Sequence, residues 1–302
     1  MIISASRRTD IPRFFTEWFM RRVKEGFFYS RNPFNPSDVK RTSLLPEDVD
    51  VIVFWSKDPT PIIKHLDELG SMGYRYYFQF TLNDYPRVFE PNVPPVKERL
   101  ETFQRLADRL GPSRVIWRYD PIIVSTLTPF EYHVGRLASI ARSLKGFTER
   151  LTVSFLDLYG KVRKRLKASA ELSRIGIEDI THPDRREMLL DFARDIAQIA
   201  ATYGMEVRTC AERVDLSEAG IRPGACVDGE LITQLLGQPA HAGPRFPKDR
   251  GQRPECLCVQ SRDMGAYNTC SHACVYCYAN YSPVSIRRNL SRHSPDSPCM
   301  IE

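Results

Sequence analysis

Val51-Ile52-Val53-Phe54-Trp55-Ser56-Lys57-Asp58-Pro59-Thr60-Pro61 changes character in mid-course. The first half is an unbroken run of β-branched and aromatic residues, which is how a strand buried on both faces reads. The second half brings Asp58 and two prolines to the start of a helix-period segment that runs to Leu69 and Gly70. A buried strand feeding a helix is the repeating unit of a parallel sheet. The unit recurs on both sides. Upstream, Ile2-Ile3-Ser4-Ala5 reads as a strand, and Asp10 and Pro12 open a helix with Phe15, Trp18, Phe19 and Val23 at helical spacing. Downstream, strands are predicted from Arg75 to Thr81, Arg114 to Arg118, Leu151 to Phe155 and Glu206 to Thr209. Between them, helices are predicted from Pro95 to Gly111, from the capping box Thr128-Pro129-Phe130-Glu131, over Lys161 to Leu172, and from Pro183 to Tyr203.

Six such alternations, joined by right-handed crossovers, predict an α/β fold of the partial (β/α)6-barrel type, with an open doubly wound sheet as the rival. No G-x-G-x-x-G or G-x4-G-K-[ST] follows any strand, which weakens a nucleotide-binding Rossmann or P-loop reading. After about residue 212 the periodicity fades. The expected organisation is a barrel domain over 1–212 and a cysteine-rich, loop-rich extension over 213–302. Within the extension, a short helix is expected between Leu216 and Gly237, loop from Gln238 to Pro254, and a frayed polar tail from Ser282.

The chain of 302 residues, 42% hydrophobic and 26% charged, reads as an ordinary globular protein able to bury a core. Met1 to Arg8 has no signal-peptide pattern and no apolar run could cross a bilayer, so a cytosolic location is expected and a membrane is not. All eight cysteines fall after residue 209, a distribution that suits metal binding in a reducing compartment better than disulfides. The net charge of +6 (43 minus 37) permits a nucleic-acid partner without requiring one.

The densest chemistry lies in Asp263-Met264-Gly265-Ala266-Tyr267-Asn268-Thr269-Cys270-Ser271-His272-Ala273-Cys274-Val275-Tyr276-Cys277-Tyr278-Ala279-Asn280. Cys270, Cys274 and Cys277 form C-x3-C-x2-C on one short loop. Three thiolates can hold three irons of a [4Fe–4S] cluster and leave the fourth open to an outside ligand. Radical S-adenosylmethionine (SAM) enzymes bind SAM at such an open iron. A zinc knuckle or a chance trio of buried thiols remains the alternative. Cys210, Cys226, Cys256 and Cys258 could close a second [4Fe–4S] cluster or a zinc site, or Cys226 could be a plain buried thiol. His272, within this loop, is expected to be a hydrogen-bonder and not an iron ligand, and Cys299 receives no role.

In α/β barrels the site forms at the C-terminal ends of the strands. Those positions hold Arg7, Arg8 and Asp10; Lys57 and Asp58; Gln79 and Thr81; Arg118 and Asp120; Ser154 and Asp157; Arg208 and Glu212. The candidate catalytic residues are Arg118, Asp120 and Lys57. Arg8, Asp10, Gln79, Ser154, Glu212 and Tyr276 are candidates for holding SAM. Such a mouth suits a polar or anionic substrate.

Ser6-Arg7-Arg8-Thr9-Asp10-Ile11-Pro12, Phe54-Trp55-Ser56-Lys57-Asp58-Pro59, Trp117-Arg118-Tyr119-Asp120-Pro121-Ile122 and the cysteine loop together resemble a bacterial family, domain of unknown function 1848. The likeness spans nearly the whole chain. It implies radical SAM chemistry, with SAM, a [4Fe–4S] cluster and an electron donor such as a flavodoxin or ferredoxin. The family pattern includes Cys210-Ala211-Glu212, Cys226 and the Cys256/Cys258 pair, which implies a second metal site. Around Cys277-Tyr278-Ala279 the chain is also similar to the spore photoproduct lyase group of DNA-repair enzymes. The competing expectation is a zinc protein without catalysis, binding nucleic acid through Arg245, Lys248, Arg250, Arg253, Arg287, Arg288 and Arg292.

Overall fold

The computed structural model describes residues 1–302 apart from 34, 36, 169 and 239–245, so Arg245 and part of the loop expected from Gln238 to Pro254 lie outside the described residues. The strands are β1 (Ile2–Ala5), β2 (Phe27–Arg31), β3 (Val39–Ser43), β4 (Val51–Ser56), β5 (Tyr76–Thr81), β6 (Val115–Ile122), β7 (Arg150–Phe155), β8 (Glu206–Cys210), β9 (Arg222–Gly224) and β10 (Arg262–Asp263). β2 and β3 pair as a separate antiparallel hairpin, which the periodicity did not signal. The others form one eight-stranded sheet in the order β10-β1-β4-β5-β6-β7-β8-β9, and each neighbouring pair is parallel.

The six predicted strands therefore lie side by side in chain order. Among the described residues no pairing joins β9 to β10, so the sheet does not close into a ring. Both edges are short, three and two residues, and leave little backbone to pair. The doubly wound rival is not met either, because strand order never reverses.

Side chains alternate across the sheet, and the two faces are covered by different parts of the chain. Ile52 and Phe54 of β4, with Phe78 and Trp117, pack against the helices Thr16–Glu25, Val96–Leu110, Phe130–Ser143 and Arg186–Thr202. Val51, Val53, Tyr77 and Ile116 point the other way. They meet Val227, Leu231 and Ile232 of the segment around helix Gly229–Leu235, together with Cys226, Cys256 and Cys258. Residues after 212 thus supply β9 and β10 to the two sheet edges and also cover one face.

Two local expectations are corrected. Thr128 does not cap its helix, which starts at Phe130 with no side-chain cap; the Thr128 hydroxyl donates instead to the Ile123 carbonyl, 2.5 Å away. The tail is not frayed. Helix Pro283–Leu290 is capped by Ser282, and the chain then returns to the core, where Cys299 and Met300 are buried. The reason is hydrogen bonding: buried Trp18 and Arg22 need acceptors, and the carbonyls of Ser297 and Asp296 supply them at 2.8 and 3.1 Å. No described helix is long and apolar enough to cross a membrane.

His133, on helix Phe130–Ser143, is fully buried. Its Nδ1 faces the Tyr119 hydroxyl and its Nε2 the Ile123 carbonyl, both at 2.9 Å, a pairing that a neutral ring protonated at Nε2 satisfies. Burial pulls this imidazole down to about 4. The unfolded chain takes up a proton near the ordinary value of 6.5 and the folded chain does not. The resulting stability is therefore complete above 6.5 and fades as pH falls towards 4, by up to about 3 kcal/mol in all. Urea unfolding at pH 7 and pH 4.5 should show a smaller pH-dependent loss in His133→Gln than in the parent. Equal losses would remove His133 as the cause.

Candidate functional site

The C-terminal ends of β1, β4, β6, β7 and β8 open onto a cavity of about 430 Å³. Arg8, Asp10, Lys57, Arg118, Asp120, Ser154 and Tyr276 line it, and so do Cys210, Cys226, Cys256, Cys258, Cys270, Cys274 and Cys277. Residues far apart in the chain meet there because parallel strands all end on the same side of the sheet. Two candidates stand behind the wall. Gln79 is buried, donating to the Cys226 carbonyl (2.9 Å) and accepting from Arg118 (3.2 Å). Glu212 accepts from the Phe155 amide at 2.9 Å, and burial lifts its carboxyl to about 7. Asp58 holds Thr60 and Arg13 instead of facing the cavity, and Arg208 pairs with Glu206.

The three-cysteine loop forms one wall. Its turns place Asn268 and Ala273 at φ of 59° and 55°, in the left-handed region. The backbone is tied down by neighbours. Asn280 Nδ2 donates to the Cys270 carbonyl (2.9 Å), the Val275 amide to Phe89 (3.0 Å), and the Arg165 guanidinium to the carbonyls of Cys277 and Asn280. His272 is buried against Phe14 and hydrogen-bonds Asp10 at 2.9 Å. Asp10 also accepts from the amides of Arg13 (3.0 Å) and Lys57 (2.9 Å), so one carboxylate joins the ends of β1 and β4 to the loop.

Beside this wall, Lys57 Nζ lies 2.7 Å from Glu90, which also accepts from the Tyr276 hydroxyl. Burial alone would raise the Glu90 carboxyl, but Lys57 and Arg99 outweigh it and hold the group below the usual carboxylate range. Opposite, Arg118 forks onto Asp120, with Nε 3.1 Å from Oδ1, and also donates to Cys226 Sγ at 2.7 Å. Burial opposes the Arg118 charge; Asp120 and the thiols of Cys226 and Cys210 more than restore it. Cys210 and Cys226 have their sulfurs 2.9 Å apart, and the Val227 amide donates to Cys258 Sγ at 3.4 Å.

All eight cysteines are free thiols. Among the described residues, no group of three or more His, Cys, Asp or Glu side chains is placed to hold a single metal ion. Burial pushes the Cys270 thiol well up and Cys274 to about 12, and a bound cation is the usual way to stabilise such buried thiolates.

Three residues of this site carried no sequence signal. Glu90 lies in irregular chain, Arg165 reads as one charge in a basic helix, and Asp263 heads the cysteine stretch with no role that its neighbours suggest. Asp263 nevertheless accepts from the hydroxyls of Ser4 and Ser6 (both 2.7 Å) and the amides of Arg7 and Gly265 (both 2.9 Å), which fixes β10 to β1. Gly265 is required there, since a Cβ would collide with Ser6 Oγ. The arginine-rich tail is partly engaged elsewhere: Arg253 pairs with Asp157 at 2.7 Å, and Lys248 donates to the Pro254 carbonyl at 2.6 Å.

Fold and site define an open parallel α/β protein with a cysteine-lined cavity at its strand ends. The family model described as "Domain of unknown function (DUF1848)" matches residues 2–279, and the chain belongs to that family. No curated protein and no solved structure matches the chain.

Proposed function

We propose that this protein is a radical SAM enzyme acting on a polar or anionic substrate. The observation that carries the reading is the placement of Cys270, Cys274 and Cys277 on one wall of the cavity into which the charged strand ends project. A [4Fe–4S] cluster held by these cysteines would supply one-electron cleavage of SAM to a 5′-deoxyadenosyl radical. The protein's own part is binding and orientation. Arg8, Lys57 and Arg118 offer positive charge to a carboxylate, Asp10 and Asp120 offer acceptors to an amine, and Tyr276 lines the wall between Cys274 and Cys277. We also infer that the order-preserving sheet curls into a partial barrel, because crossovers of one hand place every connecting helix on the same face. A reducing cytosol keeps the cavity cysteines as thiols, and an acidic redox protein of the flavodoxin or ferredoxin kind would supply electrons.

The test is EPR of the anaerobically purified, reduced protein with and without SAM. A cluster signal that shifts when SAM is added is the expected result. Iron that ignores SAM would overturn the proposal in favour of electron transfer, and zinc in place of iron would favour the nucleic-acid binder.

A further inference from the structure

A short hairpin roofs the cavity. Lys248 bridges Val259 in antiparallel fashion, and the amides of Asp249 and Gln260 donate to the carbonyls of Cys258 and Pro247, both at 2.9 Å. This base is anchored, since Phe246, Cys256, Cys258 and Val259 pack in the apolar layer that includes Val51 and Val53 of the sheet. The tip, Asp249-Arg250-Gly251-Gln252-Arg253-Pro254-Glu255, has no large apolar side chain with which to pack. Its own turns brace it: the Gly251 amide donates to Asp249 Oδ1 and the Cys256 amide to the Arg253 carbonyl, both at 3.0 Å. Gln252 and Arg253 nevertheless line the cavity. Ion pairs hold the tip across the strand ends. Asp249 lies 3.5 Å from Arg7, just after β1, and Arg253 lies 2.7 Å from Asp157, just after β7. Glu255 lies 3.7 Å from Arg213, beyond β8. Strands β4, β5 and β6 lie between β1 and β7, so the hairpin spans the opening.

We propose that residues 249–255 form a latched lid, which swings away from β7 to admit ligand and is held shut by the Arg253–Asp157 pair. Arg253 and Asp157 are 37% and 47% exposed, and Arg213 79%. Ion pairs this exposed are weak, because water already solvates both charges and salt screens them. A tip with no apolar packing and such latches opens at small free-energy cost. The anchored base stays in place and acts as the hinge. The more buried Arg7–Asp249 pair, 19% and 16% exposed, lies at the base end and marks the pivot. The purpose of the lid rests on the proposed function, since a radical formed beside the cysteine loop must be kept from water and stray hydrogen donors, and closing loops do this. The movement itself does not rest on it.

Trp55 reads the lid directly. Of the three tryptophans, Trp18 and Trp117 are fully buried in the core, whereas Trp55 is half-buried and lines the cavity. Acrylamide, a small neutral quencher, is titrated against the tryptophan fluorescence of the anaerobically purified parent, Asp157→Arg, Arg253→Asp and the doubly exchanged protein. Each single variant sets like charges face to face and should raise the quenching constant about twofold, the change in open population that an exposed pair of this strength controls. The double exchange restores the pair in the opposite sense and should return the constant to the parent's value. Raising NaCl to about 1 M, where the Debye length falls to about 3 Å, should raise the parent's constant as well. This salt arm needs no variant to fold. Equal constants in the parent at low and high salt and in both single variants would overturn the lid. A constant in the double exchange as high as in the single variants would also overturn it, by tracing the effect to damage instead of the latch. A lid that responds in a protein unable to cleave SAM would stand while the proposed function fell. SAM cleavage by a protein whose Trp55 quenching ignores salt and both residues would mean the reverse.

Discussion

Replacing Cys270, Cys274 or Cys277 singly by alanine is expected to abolish 5′-deoxyadenosine formation from SAM and to remove about four irons per chain, the content of one cubane. A cluster with an open iron has only three protein ligands, and each is bound to a different metal, so none can stand in for another. The loop adds no spare donor. His272, the nearest alternative, is committed to Asp10 at 2.9 Å and buried against Phe14. Cys274 is buried and its thiol is held up to about 12, so without the metal it stays protonated, a form that binds metal poorly. Product release measured by chromatography, after reduction with dithionite, reads the effect directly. Retained cleavage in any one of the three variants would refute the ligand assignment.

Glu90→Ala is expected to be among the most destabilising single changes near the cavity, at about 3–5 kcal/mol, the cost typical of stranding one member of a buried ion pair. The Glu90 side chain is 2% exposed and that of Lys57 14%. Removing the carboxylate leaves the Lys57 ammonium without its partner and the Tyr276 hydroxyl without its acceptor. Glu90→Gln should lose less, since it keeps hydrogen bonds and gives up only the charge. In Lys57→Met/Glu90→Leu much of the stability should return, because no lone charge remains. Equilibrium unfolding in urea at pH 7 compares the four proteins. If Glu90→Ala and the double variant unfold at the same midpoint, burial of an unpaired charge is not what matters here.

How far the chain was legible depended on how local each signal is. The six strands of the sheet core and the helices between them were readable because periodicity and helix-start residues act within a few positions. Strand β10 escaped because two residues carry no period, and the hairpin β2–β3 because a charged, exposed second strand resembles loop. The tail looked frayed because its composition is polar. Its order comes from Trp18 and Arg22, nearly 280 residues upstream, whose buried donors require its carbonyls. Glu90 was invisible for the same reason: a carboxylate in irregular chain reads as surface until its lysine is found across the fold.

By itself the sequence determined the strand–helix alternation and the C-x3-C-x2-C spacing of Cys270, Cys274 and Cys277, both properties of neighbouring residues. Only the tertiary structure decided that the sheet stays open with its strands in chain order, since closure depends on whether the distant edges β9 and β10 can pair. It also decided that Cys210, Cys226, Cys256 and Cys258 share one cavity with the cysteine loop and with Arg118. Parallel strands bring their C-terminal ends to one side whatever their separation in the chain, and no local pattern records which residues will meet there.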